Sequence, residues 1–521
     1  MMFYRRHCAQ SVKGSEEMKR IHALWYVLFG TIFMMSVSVI TATAWYGETY
    51  TVRFKELLYT LLGPLEGTGN SIRNLIVSSL MPPIIALMLL YIVAAFLLSE
   101  HPLNERLWAR LRVGKAFPRR MLRLMRKAGA LICVGLLIFS AFYVDSQMAI
   151  AEFIASYGEE TTLYEDEYVD PVAVSILPPE QPRNLICVIV ESLETPYMDE
   201  ARGGFQEQNL LPGLTRLMEE NLHFAWGPTM SGWHYLLGTS WTMASLLATT
   251  SGVPFAFPVD GNAMEEESEF APRLTTLGDI LASHGYRQEF LCGSDAAFGG
   301  RELYFTQHGG YEIYDLYTAR EQERIPEDYY EWWGFEDRIL FDIARDEATR
   351  LAESGDPFNL TLLTADLHHL DGYICLECGN AYEEDTANVA ACTDRQVTAF
   401  IDWCQRQPFY EDTTILIMGD HPRMDTSLVE DVPIEYRTVY HCLLNPAITP
   451  EGNPDGRTFT AMDIFPTTLA ALGFRIEGDR LGLGTNLFST MPTLAERMCV
   501  DKLATELDKQ SEFYLEHFYY E

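Results

Sequence analysis

Positive charge is scarce in this chain. Its 38 lysines and arginines face 73 acidic residues, for a formal net charge of −35. That balance excludes broad non-specific nucleic-acid binding, which needs a basic face to meet phosphates. Cysteine is sparse too: 10 in 521 residues is too few for a disulfide scaffold in a chain this long. There is no internal repeat and no low-complexity tract. The first apolar run is too long for a cleaved signal peptide, and no small-residue cleavage site with a polar start after it follows.

The basic residues that are present crowd the first quarter, and the acidic excess lies after about residue 155. Such asymmetry suggests a membrane protein with two differently exposed faces. Three segments, His22 to Tyr46, Leu75 to Leu98 and Ala128 to Ile150, come near the ~20 apolar residues that a bilayer requires. Pro82-Pro83 in the second is tolerable inside a packed membrane helix. Leu57 to Leu65 is apolar but too short to span, and reads as interfacial. Arg5, Arg6, Lys13, Lys19 and Arg20 precede the first span. Arg106, Arg110, Arg112, Lys115, Arg119, Arg120, Arg123, Arg126 and Lys127 lie between the second and third. Positive flanks stay cytoplasmic, so everything beyond the third span is expected outside. The expected organisation is an anchor of about three helices over residues 1–155, an acidic proline-containing linker over 156–183, and an extracytoplasmic domain over 184–521.

From Asn184 the pattern changes to short apolar runs alternating with amphipathic segments. Asn184 to Val190, Arg287 to Cys292, Phe358 to Thr364 and Thr413 to Met418 read as strands. Leu274 to His284, ended by Gly285, and Val397 to Gln407 read as helices. The alternation implies an α/β sandwich with a largely parallel sheet. Ligands in such folds sit at the carboxyl ends of the strands. There the sequence places Glu191, then Gly293-Ser294-Asp295, then Asp366 with His368 and His369, then Asp420-His421. Carboxylates and imidazoles at four strand ends point to a metal or phosphate site.

Cys187, Cys292 and Cys442 lie in or beside apolar runs and read as small buried hydrophobes. Cys375, Cys378 and Cys392 bracket a polar segment, Leu376 to Ala391, that reads as a loop. Cys375-x-x-Cys378 alone could suggest zinc, but no second pair follows at zinc-ribbon spacing. Outside the cytoplasm, a disulfide from Cys392 to one of that pair is the expectation.

Four stretches carry a family resemblance: Glu191-Ser-Leu-Glu-Thr-Pro-Tyr197; Gly238-Thr-Ser-Trp-Thr-Met-Ala244 with Ser251-Gly-Val-Pro254; His368-His-Leu-Asp-Gly372; and Gly419-Asp-His421. Ala461 to Leu469 and Gly482 to Leu487 add to it. Over about Asn184 to Ser489 the chain resembles the alkaline phosphatase/sulfatase superfamily. Its membrane-anchored branch includes lipoteichoic acid synthases, phosphoethanolamine transferases and the phosphoglycerol transferases of periplasmic glucan synthesis. The match is best to the phosphoglycerol transferases.

The resemblance implies a sulfatase-like α/β domain behind a transmembrane anchor in a bacterial inner membrane. It implies a metal shell of Glu191, Thr242, Asp420 and His421, with Thr242 also the nucleophile and Thr239 its nearest rival. Two carboxylates and an imidazole suit a divalent ion, Mn²⁺ first, with Zn²⁺ or Mg²⁺ as alternatives. His368 would protonate the leaving alkoxide. Arg301, Asp295 and His369 would contact substrate, His369 being equally readable as structural. The implied reaction moves phosphoglycerol from a phospholipid, phosphatidylglycerol foremost, to a hydroxyl on a glycan or lipid-linked acceptor through a threonine intermediate. Phosphoethanolamine transfer, a lipoteichoic-acid-type polymerase and an inactive surface assembly protein are the rivals. Two departures stand out: Leu370 replaces a proline common in relatives, and the Cys/Ser-x-Pro-x-Arg context of true sulfatases is missing around Thr242. Trp333 to Asp337 resembles a turn leading into a helix and reads as structural.

Overall fold

The computed structural model describes residues 2–50, 78, 80–98, 110, 119–227, 229–256 and 269–519. The interfacial reading of Leu57 to Leu65, the start of the second expected span and most of the basic loop after it lie outside the described residues. The chain divides into two compact units, one drawn from its first 151 residues and one that includes everything from Glu152 onward.

The N-terminal unit is helical: α1 (Met2–Thr49), α2 (Met81–Leu98) and α3 (Arg119–Met148). Among the described residues, two stretches, Trp25–Thr49 and Lys127–Met148, are long and apolar enough to cross a membrane, and Met81–Val93 is a shorter apolar stretch. The Tyr91 hydroxyl donates to the Tyr26 carbonyl at 2.8 Å, and its ring stacks on Phe33, which ties α2 to α1. Elsewhere the apolar side chains face outward: Leu131 is 74% exposed and Phe142 71%.

The C-terminal unit is built on a six-stranded sheet. Its strands are β1 (Asn184–Val190), β2 (Arg287–Cys292), β3 (Glu312–Tyr314), β4 (Phe358–Leu363), β5 (Thr413–Gly419) and β6 (His441–Leu444), in the order β3-β2-β4-β1-β5-β6. All pairs are parallel except β5 with β6. The strands read as unbroken apolar runs because both faces are covered. Leu185, Cys187 and Ile189 enter one core, while Ile186, Val188 and Val190 enter the other. The first core is roofed by α4 (Thr242–Ser251), α5 (Leu277–Ser283), α6 (Arg301–Gln307) and α9 (Ile464–Ala471). The second is roofed by α7 (Asp337–Glu353) and α8 (Asp385–Cys404), with a shorter helix at Pro212–Glu220. The result is a three-layer sandwich.

Register positions the site. Val190 pairs with Gly419, so Glu191 and Asp420, the next residue on each strand, leave the sheet side by side. Ile189 also pairs with Leu363, which brings the loop after β4 to the same edge.

Two expectations are corrected. The polar stretch up to Ala391 is not all loop, because α8 begins at Asp385. Two polar residues of α8 are buried with partners: Asn388 bonds Tyr382 and Glu384, and Asp394 accepts the Gly213 and Leu214 amides. The acidic segment before β1 is for its greater part docked rather than a free linker. Leu163 and Tyr164 are buried, Ile176–Leu177 pairs with Arg475–Ile476, and Glu167 binds Arg480 and Arg497. Its prolines and acids hide the few apolar residues that dock it.

Candidate active site

Thr242 is the first residue of α4, behind an extended N-cap, Trp241, that supplies no side-chain acceptor. Its hydroxyl therefore stands where the unpaired amides of a first helical turn favour negative charge. Thr242 Oγ1 lies 3.4 Å from both Glu191 Oε2 and His421 Nε2. His421 Nε2 is in turn 3.4 Å from Glu191 Oε1 and 3.3 Å from Asp420 Oδ2. The four side chains assigned by resemblance to one metal shell thus converge on one point. Thr239 does not join them. It is fully buried, and its hydroxyl is closed on Leu236, donating to the carbonyl and accepting from the amide at 2.9 Å each.

Ser192, to which the sequence reading gave no role, orders the carboxylates. Its hydroxyl donates to Glu191 Oε1 at 2.6 Å and its amide to Asp420 Oδ1 at 2.8 Å. The His421 amide donates to the same Oδ1 at 2.8 Å. Asp420 Oδ2 is left buried with no hydrogen-bond partner. His421 Nδ1 donates to the Pro422 carbonyl at 2.8 Å, which leaves the Nε2 lone pair facing the carboxylates. Burial and the Glu191 charge push Asp420 up to about 7. Burial alone would lower His421, but the Asp420 and Glu191 carboxylates outweigh it and raise its pKa. Two buried carboxylates, an orphaned oxygen and an imidazole lone pair facing one another fit a divalent cation, whose charge and open coordination would satisfy all of them.

His368 follows β4. Its Nδ1 donates to the His369 carbonyl at 2.6 Å, its ring stacks on His369 at 4.2 Å, and Trp333 meets it edge-on at 4.7 Å. Burial lowers its pKa. Burial would raise Glu191, yet the His368 and His421 imidazoles pull it below the usual carboxylate value. His369 is lowered far more, by burial and then by His368. The His369–Leu370 peptide is cis.

Arg301 is buried rather than a surface helix residue. Its Nε donates to Phe298 O, and its Nη2 to Ser294 Oγ and Asp295 O, so it holds the loop after β2. The Asp295 carboxylate accepts from the Ala297 amide and the Tyr317 hydroxyl. This loop adjoins the His368 loop through rings, Phe298 lying 5.6 Å from Trp333. The Trp333 to Asp337 segment does lead into α7. Gly334 approaches so closely that a Cβ there would lie 2.1 Å from Gly293 O.

Three buried ionisable groups brace the site loops; Asp337 lies in the segment read as structural, and the other two were not anticipated. Arg423, fully buried, donates twice to Asp425 and once, at 2.7 Å, to Leu367 O beside His368. Glu194 accepts a two-pronged bond from Arg437 and the Arg423 amide at 2.7 Å. Asp337 accepts the Ala365 and Asp366 amides, and Asp366 returns the bond to the Asp337 amide. The available signal was that Glu194, Arg423 and Asp337 all lie within or beside the quoted motifs.

A mostly parallel sheet covered by helices on both faces, with its polar groups gathered at the strands' carboxyl ends, is the build of the alkaline phosphatase/sulfatase superfamily. The sulfatase family model matches residues 183–474, more than half of the chain, and the chain belongs to that family. It is 32% identical over 320 residues to phosphoglycerol transferase I of Salmonella choleraesuis (strain SC-B67), which covers 60% of this chain and 40% of that one. The chain thus spans less than half of the length of such curated relatives. Among solved structures it is similar to the lipoteichoic acid synthase LtaP from Listeria monocytogenes, with 17% identity, 60% of this chain and 79% of that one covered, and a TM-score of 0.47. It is also similar to the lipooligosaccharide phosphoethanolamine transferase A from Neisseria meningitidis, with 14% identity, 86% and 84% covered, and a TM-score of 0.46.

Proposed function

We propose that this protein is a membrane-anchored transferase that moves phosphoglycerol from an anionic phospholipid, phosphatidylglycerol foremost, to an acceptor hydroxyl such as that of a periplasmic glucan. The observation that carries the reading is the Thr242 hydroxyl at a helix N-terminus, 3.4 Å from Glu191 and His421, beside the orphaned oxygen of Asp420. Glu191, Asp420, His421 and the Thr242 hydroxyl would hold a divalent cation, Mn²⁺ by expectation with Zn²⁺ or Mg²⁺ as alternatives, whose chemistry is to lower the pKa of a bound hydroxyl and screen phosphate charge.

The chain's own groups do the rest. Thr242 Oγ1, its proton released to solvent, attacks the phosphorus, and the bond from phosphorus to the diacylglycerol oxygen breaks. His368 gives that oxygen a proton, and diacylglycerol departs into the bilayer. The acceptor hydroxyl then attacks the threonine phosphodiester while His368 takes its proton, and Thr242 is regenerated. By the resemblance, Arg301, Asp295 and His369 would contact the head group. Outward-facing apolar side chains on α1 and α3 support membrane insertion, since such a surface is unfavourable in water. An anchor raises the local concentration of a lipid donor. The basic flanks put the C-terminal unit outside the cytoplasm, and a reporter fused after Glu521 tests that.

The decisive experiment follows diacylglycerol release from labelled phosphatidylglycerol under excess metal. Thr242→Ala should abolish it, a loss on the order of 10⁶-fold being typical of a removed nucleophile, while Thr239→Ala, if it folds, keeps most activity. An active Thr242→Ala protein would reject the reading. Release from labelled phosphatidylethanolamine instead would move the assignment to the ethanolamine branch.

A further inference from the structure

Cys375, Cys378 and Cys392 meet in space. The Cys375 sulfur lies 3.7 Å from that of Cys378 and 3.8 Å from that of Cys392. All three lie within 4.8 Å of one another, with Cys375 and Cys392 buried and Cys378 half-buried. The expected disulfide from Cys392 is not formed: the three are free thiols at comparable separations.

Burial raises the Cys375 thiol, but a turn sets the spacing of the sulfurs and N–H groups from two sides are aimed at them. The Cys375–Cys378 segment is a tight turn, with the Cys378 amide donating to the Cys375 carbonyl at 3.1 Å. The intervening Glu377 amide donates to the Cys375 sulfur at 3.4 Å. From α8, one turn beyond Cys392, Gln396 Nε2 donates to the Cys392 sulfur at 3.5 Å and to Cys375 at 3.6 Å. N–H groups aimed at sulfur stabilise its negative, metal-ligating form and fix its direction.

We propose that Cys375, Cys378 and Cys392 form a thiolate zinc site, separate from the Glu191 cluster. Zinc binds thiolates at about 2.3 Å in tetrahedral geometry, which sets sulfurs about 3.8 Å apart. The two shortest separations match that edge. Soft sulfur ligands select zinc over the hard cations suited to carboxylates. Among the described residues no fourth cysteine, histidine or carboxylate joins the group, so the fourth position belongs to solvent on the half-exposed Cys378 side. The ion would pin the end of the His368 loop to α8. The Tyr373 amide already returns to the Asp366 carbonyl at 2.7 Å, so loop and zinc turn form one closed unit.

The proposal does not depend on the transferase reading, and its test separates the two. The full-length protein is purified without added reductant, and its zinc content and free thiols are measured. It is then reconstituted with Co²⁺, whose thiolate complexes absorb in the near ultraviolet while oxygen and nitrogen complexes do not. At least one zinc per chain and a sulfur-to-cobalt band are expected in the wild type. The band and one zinc persist in a Glu191→Gln/Asp420→Asn variant, and the band disappears in Cys378→Ser. That residue is half-exposed, so its replacement disturbs packing least, and circular dichroism checks that the variant folds. If Cys378→Ser does not fold, the wild-type band and thiol count decide alone. A folded wild type without the band, a band that survives Cys378→Ser, or a Cys392 disulfide in the preparation made without reductant would each overturn the proposal.

Discussion

Removing the Arg423 guanidinium tests whether the site is held by buried charge. Arg423 is fully buried, and its side-chain bonds include two to Asp425 at 2.5 and 2.8 Å and one to Leu367 O at 2.7 Å. In Arg423→Met a similar volume remains, but the buried Asp425 carboxylate loses its counter-charge and the Leu367 carbonyl loses a donor. Breaking a buried ion pair from one side costs about 3–5 kcal/mol, because the stranded charge cannot reach water. Arg423→Met should therefore lose about that much in urea unfolding, followed by tryptophan fluorescence in detergent. Adding Asp425→Leu removes the stranded charge and should restore roughly half or more of the loss. The remainder reflects Ser427, whose amide also bonds Asp425. Activity should behave differently. Neither variant ties the His368 loop through Leu367 O, and a misplacement of ~1 Å costs on the order of 10²-fold in rate. Both should thus transfer head groups poorly even where stability returns. A single variant within ~1 kcal/mol of wild type, or a double variant with full activity, would refute the reasoning.

Two further outcomes follow from the same loops. Burial and the facing Asp337 push Asp366 up to about 9, and burial pushes Asp337 up to about 7, against about 3.9 in an unfolded chain. The native pair thus holds protons that the unfolded chain releases. Its contribution is most favourable at acid pH and is lost as pH rises through about 7 to 9. Asp366→Asn keeps the Oδ1 acceptor and should flatten the fall in urea midpoint between pH 5 and pH 9; an unchanged slope contradicts the assignment. Separately, Gly419 closes β5 just before Asp420, and a Cβ there would lie 2.2 Å from the Leu193 carbonyl. Gly419→Ala must shift backbone by on the order of 1 Å, so it should cost about 10²-fold or more in transfer rate. Full activity in that variant would show that the Asp420 position tolerates movement.

The central strands were legible because parallel strands buried on both faces leave unbroken apolar runs. Asn184 to Val190, Arg287 to Cys292 and Thr413 to Met418 all stand as strands. Strand ends then located Glu191, His368 and Asp420-His421 without further information. The first half of α8 was not legible, because its polar residues are buried through bonds to distant groups and local composition mimics a loop. The bracing charges were hidden for the same reason: Glu194 and Arg437 are 243 positions apart, and Asp337 and Asp366 are 29. Thr239 and Thr242 lie in one motif and cannot be ranked by composition. The start of α4 separates them, since it frees one hydroxyl toward the carboxylates and leaves the other closed on its own turn.

Buried charge is an expensive way to stabilise a fold, because desolvation can exceed the Coulombic gain. The distribution here is therefore informative. Each loop that carries a site residue has its own buried polar anchor. Glu194 with Arg437 holds the loop after β1, Asp337 with Asp366 the loop after β4, and Arg423 with Asp425 the loop after β5. Apolar packing would hold those loops down, but it is non-directional and would not fix the angles at which Glu191, His368 and Asp420 leave the sheet. Hydrogen-bonded polar pairs, whether ion pairs or protonated acids, do fix direction. A site whose work is to meet phosphate charge in a set geometry requires that fixity before substrate arrives. The cysteine cluster would extend the same device to the far end of the His368 loop, with metal–sulfur bonds in place of ion pairs.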